Sequence, residues 1–196
     1  MNFGVHFIFG LVAGILSFLA FVLYYISIVR GTTIPNRATW LILTIVGVLV
    51  SLSYYSVGAI ETMWVPICNV IGTAIAFLLS IKYGESKWST LDMVCISVSI
   101  LSVIIWGLTK TAILVLLINI FIDFLGVLPT IKKSYLNPKS ESYLPWLVTT
   151  ISCVLNIFAI QDWRFSIFVY PIYMLVFNGI ITLPLLLFRF NSSFKK

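Results

Sequence analysis

Asp123 is the only acidic or basic side chain well inside an apolar stretch of this sequence, in INIFIDFLGVLP. An aspartate at the centre of a membrane-buried helix costs about 2.5–3.5 kcal/mol on the insertion scale. Such a residue usually faces a cavity, a partner or a solute pathway. There it can exchange a proton or contact a solute amine. The alternative is a protonated carboxyl that hydrogen-bonds across helices and holds the bundle. Asn119 lies four residues earlier, on the same helical face. Other polar groups fall at similar depth in their own apolar runs: Asn69 with Thr73, Asn178 with Thr182, Ser152 with Asn156, and Ser51 with Ser53. Taken singly, each serves as interhelical glue. Taken together they suit a small polar solute, because amides donate and accept and so replace lost hydration. The expected walls are Asn69, Thr73, Asn119, Asp123, Asn156 and Asn178, with proton coupling at Asp123.

Catalysis has little to work with. No nucleophile has a neighbouring base, and a single carboxylate cannot make an acid–base pair. No enzyme activity is expected. The cysteines, Cys68, Cys95 and Cys153, sit inside apolar runs without metal spacing and read as small buried hydrophobes. Neither a metal nor a cofactor is expected. A retinal Schiff base would need a lysine within the last helix, and none stands between Phe165 and Phe188. His6 falls at a membrane edge and is given no role.

The elements that must position these groups are set by composition. The chain has 196 residues, 61% of them hydrophobic and only 9% charged, against about 25% charged in soluble domains. Part of its solvent is therefore lipid. A spanning helix takes about 20 apolar residues. That length marks seven runs, at 6–29, 38–58, 62–82, 90–108, 111–132, 143–160 and 165–188. Continuous apolarity argues against spanning strands, which alternate. The first run is too long for a signal-peptide core and is kept as a span. The net charge of +6 follows loop placement. With seven spans, ten Lys and Arg fall on one face and only Lys110 and Arg164 on the other. This puts the N-terminus outside and the C-terminus in the cytoplasm, and no basic face for nucleic acid results. All six tryptophans, at 40, 64, 88, 106, 146 and 163, lie near expected helix ends as an interfacial belt. Pro66, Pro129, Pro145 and Pro171 are candidate hinges, since proline interrupts helical hydrogen bonding.

The chain also looks duplicated. Trp40 aligns with Trp146 and Ser17 with Asp123 at an offset of 106; Tyr24 with Pro129, Pro66 with Pro171 and Thr73 with Asn178 align at 105. The shift spans four helices, an even number, so both halves point the same way. The expected plan is a first three-helix repeat over 1–83, an inversion-linker helix over 84–110, and a second repeat with a short basic tail over 111–196. In LPTIKKSYLNPKSES (Leu128–Ser142), Pro129 stands at a motif proline and Thr130 in place of a glutamine. This segment, with the three-plus-one-plus-three plan, resembles the PQ-loop/SWEET superfamily. The resemblance implies an all-α membrane protein of two parallel three-helix repeats. It also implies a transporter of a small polar solute such as a sugar, an amino acid or a vitamin, working by alternating access. Pro129 and Pro145 match proline positions known in the sugar transporters, while helices 1 and 2 carry none. The rival expectation is a seven-helix receptor that binds a ligand in the same cavity without passing it. The expected partners are the solute, the lipid bilayer and no nucleic acid, with a homo-oligomer left open, in the plasma membrane.

Overall fold

The computed structural model describes residues 4–35, 37–84, 90–109, 111–140 and 142–193. Lys87, Trp88, Lys110, Lys195 and Lys196 lie outside the described residues, as do the side chains of Cys95, Trp106, Pro129, Thr130 and Lys133. The described chain forms α1 (Val5–Val29), α2 (Arg37–Val57), α3 (Trp64–Tyr83), α4 (Thr90–Thr109), α5 (Ala112–Leu136), α6 (Tyr143–Phe158) and α7 (Phe165–Ser193). A 3-10 turn, Pro138–Ser140, joins α5 to α6. Helices satisfy every backbone group internally, which lipid requires. Among the described residues, α1, α2, α3 and the Phe165–Phe190 part of α7 are long and apolar enough to cross a bilayer. Ala112–Leu128 and Tyr143–Phe158 are shorter apolar helices. Large apolar side chains such as Leu78, Leu108 and Phe121 are exposed. The chain is an all-α membrane protein.

Two helix ends are closed by glycines in the left-handed region, Gly31 (φ +70°) and Gly58 (φ +75°). After Gly58 the Ala59 N–H returns to the Tyr54 carbonyl at 3.1 Å. Arg37 closes a third end. Its guanidinium donates to the carbonyls of Ser80 (3.0 Å) and Ile81 (2.7 Å) at the C-terminus of α3.

Helix α1 buries one face of small residues: Gly10, Ala13, Gly14, Ser17 and Ala20. A Cβ on Gly10 would meet the Glu61 carbonyl oxygen at 1.9 Å, and one on Gly14 would meet Trp64 at 2.9 Å. Absent side chains thus let backbones touch, as in other membrane bundles. α3 packs against α1 and α2, and α7 packs against α5 and α6. Two seams close the set into a ring, α1 on α6 and α2 on α5. α4 lies on α5 and α2. The α2–α5–α7 core follows a stripe four residues apart on α2: Ile42, Val46, Val50 and Tyr54.

Two expectations need correction. α5 continues to Leu136, four residues beyond the expected end at 132. Hydropathy marks where polarity begins, not where helical hydrogen bonding stops. Pro66 and Pro145 fall in the first turns of α3 and α6. Their amides would have no helical partner there, so these prolines start helices rather than interrupt them; Pro171 and Pro184 lie inside α7. Trp40 and Trp64 lie in the first turns of α2 and α3, near helix ends as expected, and their rings also pack on α1. Trp40 packs on Phe21 and Tyr24 of α1, and Trp64 stands edge-on to Phe7.

Candidate functional site

The site begins with one proline. Pro171 has no N–H, so the carbonyl four residues back, on Ile167, loses its helical donor. The Tyr54 hydroxyl of α2 takes that place, donating to Ile167 O at 2.8 Å. Tyr54 is fully buried, and a buried phenol needs such a partner. Its ring stands edge-on to Tyr170 with centroids 5.7 Å apart. A hydroxyl, a freed carbonyl and two rings therefore tie α2 to α7.

One turn deeper the polar groups converge. Ser17 of α1 donates to Asn69 Oδ1 of α3 at 2.8 Å. Asn69 also lies near Tyr170 of α7. Next on α7, Tyr173 donates to Asp123 Oδ2 of α5 at 2.5 Å. Asp123 is enclosed by protein yet keeps some accessible surface. Rings continue the line, Tyr173 to Phe177 at 4.7 Å and Phe177 to Phe124 at 5.2 Å. The arrangement can hold a small polar or charged group against ring faces and one carboxylate.

A polar pocket of about 360 Å³ opens where α2 passes to α3 and α6 to α7. Gly58, Glu61 and Thr62 line one side, and Gln161, Asp162 and Arg164 the other. Asp162 accepts from Arg164 Nε at 2.5 Å and from the Arg164 backbone amide at 3.0 Å. Ile167 also lines this mouth, so the Tyr54–Tyr170 pair lies just beneath it. A second pocket of about 330 Å³ is apolar and lies between α4 and α5, beside the exposed Leu101 and Phe121.

No family model, curated protein or solved structure gives a significant match to this chain.

Of the six expected wall residues, Asn69 and Asp123 join this cluster. The others bond within their own helices or lack a partner. Thr73 donates to the carbonyls of Asn69 and Val70. Asn178 donates to Met174 O, and Asn119 to Val115 O. The Oδ1 atoms of Asn119 and Asn156 are buried without a partner. Ser152 bonds across the seam instead, to Ala13 O at 2.7 Å. His6, given no role above, clasps the same seam through Phe158 O at 3.0 Å. Tyr54, Tyr170 and Tyr173 were missed. Their signal was hydroxyls deeper than an interfacial belt, two of them flanking a proline. Among the described residues no group of three His, Cys, Asp or Glu is placed to hold a metal.

Proposed function

We propose that this chain is a seven-span transporter of the PQ-loop/SWEET type. It moves a small polar solute by rocking two three-helix units about the cluster between them. One observation carries the reading: the Tyr54 hydroxyl of α2 donates to Ile167 O of α7 and so ties the two helix triplets together directly beneath a polar mouth. The packing order supports it. α3 sits against both α1 and α2, as α7 does against α5 and α6, and the seams α1–α6 and α2–α5 exchange under the same two-fold relation. Side-chain bonds within the triplets support it too. Ser17 with Asn69, and Asp123 with Tyr173, pair the first and third helix of each triplet. Parallel-repeat transporters place their sites at that level.

In this reading the mouth faces outward, the N-terminus is outside, and the C-terminus is in the cytoplasm of a plasma-membrane protein. The basic residues Arg30, Arg37, Lys82, Lys132 and Arg189 all lie at the end remote from the mouth, as the positive-inside rule asks. Asp123 supplies proton coupling, and Pro171 the bend in α7. The test is uptake of labelled sugars, amino acids and amines into liposomes holding the full chain, with and without a pH gradient. Time-dependent accumulation of one solute is expected. Saturable binding without accumulation would make the protein a receptor.

A further inference from the structure

We infer that the solute accepted at this site is an organic monocation, an amine or quaternary ammonium of about choline's size. The inference rests on the transport reading above for its route and on the side chains for its chemistry. The sign of charge along the route decides first. The mouth carries Glu61 and Asp162 against Arg164, and Arg164 is already held by Asp162. About 9 Å below Ile167, at 1.5 Å per residue along α7, stands Asp123. It has the Tyr173 hydroxyl as its hydrogen-bond partner, and no ammonium or guanidinium approaches it among the described residues. The described lysines and the other arginines lie at the far end of the bundle. An anionic solute would meet carboxylates at both levels.

The surroundings decide next. A small metal ion needs several oxygen ligands, whereas rings of Tyr170, Tyr173 and Phe177 follow one another beside Asp123 with centroids 6.2 and 4.7 Å apart. Ring faces attract a diffuse cation, and more strongly away from water. A carboxylate next to them supplies the counter-charge, and the cation in turn offsets the cost of a lone charge at that depth. Tyr54 and Tyr170 close the way from the mouth, so the cation enters when the Tyr54–Ile167 bond opens.

The test compares choline with 3,3-dimethyl-1-butanol, its neutral isostere, by binding of labelled choline to the full chain in lipid nanodiscs. Choline should bind roughly tenfold or more tightly than the alcohol. Asp123→Asn should remove that preference while the alcohol binds as before, and Tyr170→Leu should weaken choline at least several-fold. Equal binding of the two, no binding of choline, or an unchanged preference in Asp123→Asn overturns the inference. If Asp123→Asn does not purify folded, the wild-type comparison decides alone. Flux separates this claim from the one beneath it. Choline bound but never carried into liposomes defeats transport and leaves the cation site. A neutral sugar carried while choline binds no better than the alcohol defeats the cation site and leaves transport.

Discussion

The two helix triplets share a packing order and differ in what fills it. In the first, the glycines of the helices are points of contact. Added Cβ atoms would meet Glu61 at 1.9 Å from Gly10, Trp64 at 2.9 Å from Gly14, Val70 at 3.1 Å from Gly47 and Phe21 at 2.2 Å from Gly72. In the second, Gly126 and Gly179 have nothing within 4 Å. The bond between first and third helix differs in the same sense. It is neutral in Ser17–Asn69, and it involves an acid in Asp123–Tyr173. The first triplet is welded by backbone contact and fixes a frame. The second has looser glycines, two prolines inside α7 and the acid, so the proposed transport would concentrate its chemistry and movement there.

Swapping glycine for a larger residue in each triplet gives the largest expected effect. Gly10→Val should cost several kcal/mol, because a backbone carbonyl cannot yield as a side chain can and over-packing alone costs about 1–3 kcal/mol. Little folded protein should survive extraction. Gly126→Ala should be neutral or stabilise by about 0.5–1 kcal/mol, since glycine weakens a helix interior. Thermal melts of both variants followed by circular dichroism check the contrast. Equal damage from the two would erase the distinction between frame and mover.

Next in size is the closure between the triplets. Tyr54→Phe keeps the ring and removes the donor that Pro171 makes necessary at Ile167 O. A buried carbonyl left unsatisfied costs about 1–3 kcal/mol, and here the cost falls on the closed mouth. Cys153 reports it, being buried on α6, which packs against α7. In a Cys68→Ala, Cys95→Ala background, a water-soluble maleimide should label Cys153 roughly tenfold faster in the variant, the factor that about 1.4 kcal/mol represents. Unchanged labelling would mean that Tyr54 does not hold the mouth shut.

Much of this fold was legible because lipid enforces it. Apolar runs near bilayer length gave the helices to within a few residues, and Ser17 and Asp123 each bond to the third helix of their own triplet. The site was legible where a residue type is out of place. An acid among INIFIDFL stands out, and an Asn in α3 does too. Tyrosines do not, because they belong equally to an interfacial belt and a core. Only the partner separates the cases, and Ile167 O for Tyr54 lies 113 residues away in sequence. Thr73, Asn119 and Asn178 were named for their depth, which does not show which bonds a polar side chain makes; each gives one bond to its own helix, a local bond that competes with tertiary ones.

The smallest effect compares the bonds between first and third helix in the two triplets directly. Ser17→Ala removes a neutral hydroxyl that donates to Asn69 Oδ1. Such a bond is worth about 0.5–1.5 kcal/mol net. Tyr173→Phe removes a donor to a carboxyl, and charge-assisted bonds are roughly twice as strong. Both variants preserve packing volume apart from one oxygen, so the difference in their melting temperatures isolates the chemistry of the pair. Tyr173→Phe should lower the melting temperature more than Ser17→Ala. Ser17→Ala should also leave choline binding within about twofold, because Ser17 touches Asn69 rather than the acid and a single hydrogen-bond change spread over the frame is small. A larger loss of stability or of choline binding from Ser17→Ala would place the working chemistry in the first triplet, against the division drawn from the glycines.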